Sequence, residues 1–371
     1  MKIDRVHFYV EDARKYRNWF VDRFGFQALG GDSNYHTRRE TVKSGPVYFV
    51  LSSPLSSASP VADYLDLHPP GVVDITFRVP NIESLVDRAT SEGVKFLQPL
   101  QKTRTGNSDF KWCQIAAWGG LRHTLIEEEP GKGKNEENSS AMENPSDAPI
   151  SYLGIDHIVL NVNAGEMEKA VTWYEKVLGF QRQQKFSIQT ERSGLHSQVM
   201  YHPSGWVKLP INEPASGNSQ IQEFLDVNKG PGIQHIALQA LDLVSTVKQL
   251  RAAGLPFIQV PPSYYSQLEQ RQPFPLSAKE LKEVAKQQIL VDWETDINQL
   301  PTEFSPLLLQ TFTNPIFSQP TFFFELIERR VCCINGRQQQ AEGFGEGNFR
   351  ALFEAIELEQ MKRGSLGLNK S

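Results

Sequence analysis

Three residues in three apolar runs carry the chemistry this chain can do. Glu325 sits inside PTFFFELIERR (Pro320 to Arg330), His157 inside IDHIVLNV (Ile155 to Val162) and His235 inside GIQHIAL (Gly232 to Leu238). Runs this short and this apolar read as buried strands. An ionised carboxylate buried in one of them needs a cation, a metal or a proton to meet it. Two neutral imidazoles and one carboxylate on three strands compose a 2-His-1-carboxylate facial triad. Such a triad holds a divalent metal and leaves three cis positions open.

A single His in an apolar strand is more often a hydrogen-bonded core residue than a ligand, so the elements that carry the three decide the reading. The chain opens with an alternating strand, Ile3 to Val10. A helix follows with Tyr16, Trp19, Phe20 and Phe24 on one face and Gly25 as its stop. Short strands (Val47 to Ser52) divided by turn residues fill the stretch to residue 60. The order then restarts with strand Val72 to Val79, a helix marked by Ile82, Leu85, Val86 and Ala89 and ended at Gly93, and more strand from Phe110 to Ile126. It returns twice more: strand 155–162 with a helix on Met167, Ala170, Val171, Tyr174 and Leu178, then strand Ile233 to Ala240 with a helix on Leu243, Val247 and Leu250. The spacing predicts four copies of one strand-helix-strands unit.

Between the second and third copies, GKGKNEENSSAMENPSDAP (Gly131 to Pro149) is almost devoid of apolar residues and reads as an exposed linker. The expected organisation is an N-terminal domain over 1–130, a linker over 131–150 and a C-terminal domain over 151–371. Sliding one half onto the other puts Arg5 at the place of His157 and Asp74 at that of His235. Matching LIE to LIE puts Thr124 at Glu325. An Arg, an Asp and a Thr make no such metal site, so the C-terminal half is expected to do the work. Of the other histidines, His7 and His123 lie in the half without a matching set, and His36, His68, His196 and His202 have no evident strand or carboxylate partner.

Polar residues around the three form a second signal: Gln234 precedes a ligand candidate, Gln310 interrupts an apolar run, and Ser197, Asn212 and Gln220 fall in the later strands and loop of the third unit. Several amides facing one apolar cavity would orient a polar aromatic ligand. Phe312, Phe323, Phe344 and Phe349 read either as its stacking walls or as plain core. The fourth unit carries a long insertion, Pro256 to Leu300, with PPSYY and a helix over Ser277 to Gln288. The tail, GFGEGNF (Gly343 to Phe349), runs into a helix able to lie across a cavity mouth; it lacks the Lys-Ser/Thr of a phosphate loop.

Composition bounds the rest. At 371 residues the chain has room for two domains. A formal charge of -5 with no basic patch argues against nucleic acid or an anionic membrane as partner. No apolar run reaches the length of a membrane span and no cleavable leader opens the chain, so a cytoplasmic protein is expected. Three cysteines, Cys113, Cys332 and Cys333, lack disulfide or zinc spacing and read as packing residues.

With IDHIVLNV, LPINEP (Leu209 to Pro214), SQIQ (Ser219 to Gln222), GIQHIAL, PPSYY, LLLQTFTNP (Leu307 to Pro315), PTFFFELIER and GFGEGNF in this order, the sequence resembles the 4-hydroxyphenylpyruvate dioxygenase family of the vicinal oxygen chelate superfamily. The likeness covers nearly the whole chain and is densest in its C-terminal half. It implies an α+β fold of four βαβββ units in two tandem domains, the C-terminal one an open barrel around the metal, with a C-terminal gate helix. By resemblance His157, His235 and Glu325 match Fe(II) ligands. Ser197, Asn212, Gln220, Gln234 and Gln310 match the polar substrate wall, and Phe312, Phe323, Phe344, Asn348 and Phe349 match the aromatic pocket and gate. The implied partners are 4-hydroxyphenylpyruvate and dioxygen, giving homogentisate and carbon dioxide, and the implied assembly is a homodimer or homotetramer. Rival readings are hydroxymandelate synthase, an extradiol ring-cleaving dioxygenase and a non-enzymatic binding protein of the same fold.

Overall fold

Strand β1 (Lys2–Tyr9) buries Val6 and Phe8 by simple alternation, and it begins the unit that the computed structural model repeats four times. Residues 1–105, 108–128, 150–190, 193–205, 207–268, 270, 274–293, 306–334, 337–341, 343–345, 347–348, 351 and 361 are described. The first unit continues with α1 (Ala13–Phe24), β2 (Gln27–Ser33), β3 (Thr37–Ser44) and β4 (Val47–Pro54), followed by a helix α2 (Pro60–Leu67). The second has β5 (Gly71–Arg78), α3 (Ile82–Ser91), β6 (Phe96–Thr105), β7 (Ser108–Ala116) and β8 (Arg122–Glu128). The third has β9 (Gly154–Asn161), α4 (Met167–Leu178), β10 (Gln181–Gln189), β11 (Gly194–Tyr201) and β12 (Lys208–Pro214), followed by α5 (Gln220–Asn228). The fourth has β13 (Gly232–Gln239), α6 (Leu243–Ala252), α7 (Pro262–Leu268), α8 (Ala278–Lys286), β14 (Leu290–Trp293), β15 (Leu307–Phe312) and β16 (Phe323–Arg329). A hairpin of β17 (Val331–Ile334) and β18 (Arg337–Gln340) follows.

Each half closes its two units into one eight-stranded sheet with the same order, β2-β3-β4-β1-β5-β8-β7-β6 and β10-β11-β12-β9-β13-β16-β15-β14. The expected α+β fold of two tandem domains is therefore observed. Helices α1 and α4 stop at Gly25 and Gly179, both left-handed (φ 73° and 76°), the backbone a glycine takes most cheaply.

Four features were not anticipated. Helices α2 and α5 follow β4 and β12, α2 in a stretch given no element and α5 in one expected to be strand and loop; their signals are the caps Ser59 and Ser219, whose side chains accept from the N–H two residues on. Strand β14 lies inside the insertion, too short to declare itself. The β17–β18 hairpin carries Cys332 and Cys333, whose side chains lie outside the described residues. The helix expected over Ser277 to Gln288 is α8, with a Ser277–Glu280 capping box. The linker expected from 131 to 149 and most of the stretch expected to form a C-terminal helix lie outside the described residues.

One core runs through both halves. Alternation through β16 and the residue just before it sends Phe322 and Phe324 out of the C-terminal sheet into an aromatic cluster of the N-terminal half. There the rings of Phe8 and Phe322 lie 5.2 Å apart, and those of Phe24 and Phe324 4.7 Å apart. Burying each such ring contributes roughly 2 to 3 kcal/mol, so the halves form one packed body. Among the described residues no helix is long and apolar enough to cross a membrane.

Candidate metal centre

The other face of β16 carries Glu325, and the sheet register determines what it meets. On central strand β13, Ala237 lies between His157 of β9 on one side and Glu325 of β16 on the other. His235 is two residues back on β13 and shares the face of Ala237. Ala237 is fully buried and has only a methyl group to place between its flanking neighbours. The three donor groups lie within 4.8 Å of one another. Glu325 Oε2 is 3.1 Å from His157 Nε2 and 3.6 Å from His235 Nε2.

Burial pushes the Glu325 carboxyl up, but the two imidazoles, His157 foremost, outweigh it and hold it below its ordinary value. Burial pulls His157 down, and Glu325 with Asp156 raises it past its ordinary value; at His235 burial wins and lowers the ring's pKa. An anionic carboxylate and a neutral imidazole are ligand forms. Behind His157, Nδ1 is 2.8 Å from Asp156 Oδ1, and Asp156 is gripped by the fork of Arg329 at 2.6 and 2.8 Å. Burial works against that carboxylate too, yet Arg329 and His157 hold it well below the carboxylate range. Glu325 Oε1 and His235 Nδ1 are buried without a protein hydrogen bond among the described residues. A carboxylate with Oε2 facing two imidazole nitrogens and Oε1 left over fits a divalent cation of the borderline kind that N and O donors hold.

The triad lies in a cleft of about 620 Å³ whose wall includes Ser197, Asn212, Gln220, Gln234, Gln310, Phe312, Phe323 and Phe344. Ser197 and Asn212 are direct cross-strand partners, whereas Gln220 is the first residue of α5 rather than of a strand or loop. Among the described residues, Ser197 Oγ, Gln220 Oε1 and both amide atoms of Gln310 are buried with no protein partner. Each such group costs about 1 to 3 kcal/mol when left unpaired, the mark of a wall built for a polar ligand. Phe323 stacks on the His235 ring at 4.8 Å, and Phe344 meets the His157 ring edge-on at 5.1 Å.

Asn348 does not line this cleft. It is fully buried and its Oδ1 accepts from the Tyr264 hydroxyl at 2.6 Å, so it ties the tail to the PPSYY helix instead. Phe349 lies outside the described residues. Sequence reasoning missed Val159, Phe186, Ile188, Leu195 and Pro210, which complete the wall; the alternation of Phe186 and Ile188 along β10 was the available signal. It also missed Gly345, where any Cβ would collide with the Gln310 amide. The six other histidines are bonded elsewhere, His7 to Ser52, His36 to Ser56, His68 to the Asn228 carbonyl, His123 to Tyr174, His196 to Ser187 and His202 to Ser204.

This duplicated sheet with a His-His-Glu cluster defines a class. The model of the Glyoxalase/Bleomycin resistance protein/Dioxygenase superfamily matches residues 2–115 and 154–271, one span in each half, and the chain belongs to it. Within that class the chain is 36% identical over 388 aligned positions to the 4-hydroxyphenylpyruvate dioxygenase of Yarrowia lipolytica, covering 98% of this chain and 93% of that one. It is 34% identical to that of Caenorhabditis briggsae (98% and 93% covered) and 35% identical to that of Tetrahymena thermophila (98% and 91%). The chain is a member of the 4-hydroxyphenylpyruvate dioxygenase family. Among solved structures, a triple mutant of 4-hydroxymandelate synthase from Streptomyces coelicolor shares its fold, with a TM-score of 0.80 at 24% identity over 97% of this chain and 98% of that one.

Proposed function

We propose that the chain is an Fe(II)-dependent dioxygenase that converts 4-hydroxyphenylpyruvate and dioxygen to homogentisate and carbon dioxide, with residues 151–371 as the catalytic domain and 1–130 as a non-catalytic partner. One observation carries the reading most: three donors from three neighbouring strands converge at the floor of a cleft in which several polar wall atoms lack a protein partner among the described residues. Family membership names the substrate.

His157, His235 and Glu325 hold the iron. When bound, the iron would supply the redox chemistry between the 2-keto acid and dioxygen. The chain's own part is placement and dryness. Gln220, Gln234 and Gln310, with Ser197 and Asn212, offer donors and acceptors to the ring end of the substrate, so that the unpaired atoms become paired only when it is correctly seated. Phe312, Phe323 and Phe344 enclose the reacting end in apolar surface and keep water away from a strong oxidant. The atoms balance: one dioxygen adds two oxygens, one carboxyl leaves as carbon dioxide, and the ring keeps the shortened side chain.

The test is anaerobic loading with Fe(II), addition of 4-hydroxyphenylpyruvate and oxygen, and chromatography of the product. Homogentisate with matching oxygen uptake is expected. Hydroxymandelate would move the chain to the sister reaction, and failure to bind iron would return it to a binding protein. Sedimentation of the purified chain reads out the homo-oligomer that the resemblance implies.

A further inference from the structure

Arg329 is buried in the C-terminal sheet, and four hydrogen bonds of its guanidinium to described residues point two ways. Nε and Nη2 grip both oxygens of Asp156, at 2.6 and 2.8 Å. Nη1 donates to the carbonyls of Ala341 and Gly343, each at 2.7 Å. Oδ1 of the same Asp156 faces His157 Nδ1 at 2.8 Å. One residue beyond Gly343, Phe344 lays its ring against His157 and forms part of the cleft wall. The next residue, Gly345, sits against the Gln310 amide.

We propose that Asp156 and Arg329 are positioning residues that form a single strut. Asp156 fixes the ring of His157 with Nε2 toward the metal, and Arg329 fastens the Phe344-bearing segment to that same carboxylate. Ligand orientation and closure of the cleft wall are thereby one event rather than two. The argument is geometric. A carboxylate that accepts from a ligating imidazole sets its tautomer and rotation, as partners of metal-bound histidines do. A bidentate guanidinium holds its carboxylate in one orientation, and its remaining nitrogen holds two carbonyls of a segment that packs against His157 and the Gln310 amide. A lysine in place of Arg329 keeps the charge and loses the fork.

The inference rests on the metal-centre reading, and its test separates the two. Affinity for Fe(II), held anaerobically, and for Co(II) is measured by competition with a chromophoric chelator, with wild type and Glu325→Ala as the reference pair. Amide hydrogen exchange of residues 337–345 is followed in parallel. Asp156→Asn is expected to weaken metal binding about 10- to 100-fold. Arg329→Lys is expected to hold metal within about threefold, to raise exchange in 341–344, and to raise KM for the 2-keto acid more than it lowers kcat, because the metal is still held while the wall is loose.

Should Asp156→Asn fail to fold because Arg329 is left buried without its partner, the double variant Asp156→Asn/Arg329→Met removes that charge and should show the same loss of affinity. Unchanged metal affinity in a folded Asp156→Asn or in the double variant overturns the strut, as does unchanged exchange of 341–344 in Arg329→Lys. If wild type and Glu325→Ala bind metal equally, the triad reading fails, and the exchange result still decides whether Arg329 holds the segment.

Discussion

The two halves place a buried carboxylate at the heart of the same sheet and treat it in opposite ways. Asp74 pairs with Arg122 and His7, and Thr124 with Thr76, in the register that relates His235, Val159, Glu325 and Ala237 in the other half. Arg5, opposite Thr76, takes the place of His157. Around Asp74 the closest partners are a hydroxyl and an amide: Thr124 Oγ1 and Gln114 Nε2 each donate at 2.7 Å, with the Thr124 N–H and the Thr76 hydroxyl farther out. Burial wins there and pushes its pKa up to about 6. Around Glu325 the partners are two imidazoles, and they win. Where Ser197 faces Asn212 in one sheet, Arg39 faces Ser52 in the other. An Asp precedes both first-strand positions, Asp4 and Asp156, and each is held by an arginine fork. One backbone therefore supports a metal cradle or a plain polar core, and the choice is made by side chains at about three positions.

The largest way to break that contrast is Glu325→Ala, expected to cost at least about 100-fold in turnover, the upper end of what losing a partner behind a metal ligand costs. Metal content after desalting and oxygen uptake would read it. Its counterpart Thr124→Ala should cost about 1 kcal/mol of stability and leave turnover alone; a parallel loss of activity would put chemistry in the N-terminal half.

Next in size is the pH dependence of Asp74. Its pKa rises from an ordinary 3.8 to about 6 on folding. The folded state thus binds more protons between these values, and stability falls as pH rises through the window. Asp74→Asn should flatten that fall, worth about 2 to 3 kcal/mol at pH 7 and nothing below about pH 4. Melting curves of both proteins at pH 4 and pH 7 decide it; an equal gap at both would show that hydrogen bonding alone governs the site.

Smaller still is Gln310→Leu. Removing a buried amide whose atoms lack protein partners should raise melting stability by about 1 kcal/mol, while KM rises about tenfold, equivalent to 1.4 kcal/mol. A drop in stability with KM unchanged would mean that the amide serves the fold and not the ligand. The smallest effect belongs to the linker. Proteolytic nicking between residues 131 and 149 should leave the halves associated and turnover unchanged, because Phe8, Phe24, Phe322 and Phe324 pack across the boundary. Separation on gel filtration would contradict that packing.

Much of this was legible in the chain because period and isolation are local signals. A lone His or Glu in an apolar strand stands out, and four repeats of one pattern supplied the comparison that turned three suspicious residues into a set. The polar wall was legible for the same reason, since an amide in an apolar run has to be explained. Asp156 and Arg329 were not legible. They are 173 residues apart, and each looks like an ordinary charge at a strand end until the sheet brings them together. Helices α2 and α5 hid because their evidence is a serine cap, and β14 because four residues cannot show a period.

By itself the sequence determined the repeated unit, the residues able to ligate a metal, and the half that could not, because these follow from residue type and from the spacing that strands and helices impose. Tertiary structure decided what those residues meet. Strand β16 is the last strand of its unit, yet it enters the sheet beside β13 and parallel to it, and this sets Glu325 level with His157 across Ala237. That pairing of distant strands is a matter of sheet order and register, which no local stretch encodes. It also gave the opposite face of β16 to the N-terminal half, so that one strand carries a candidate metal ligand on one side and the domain interface on the other.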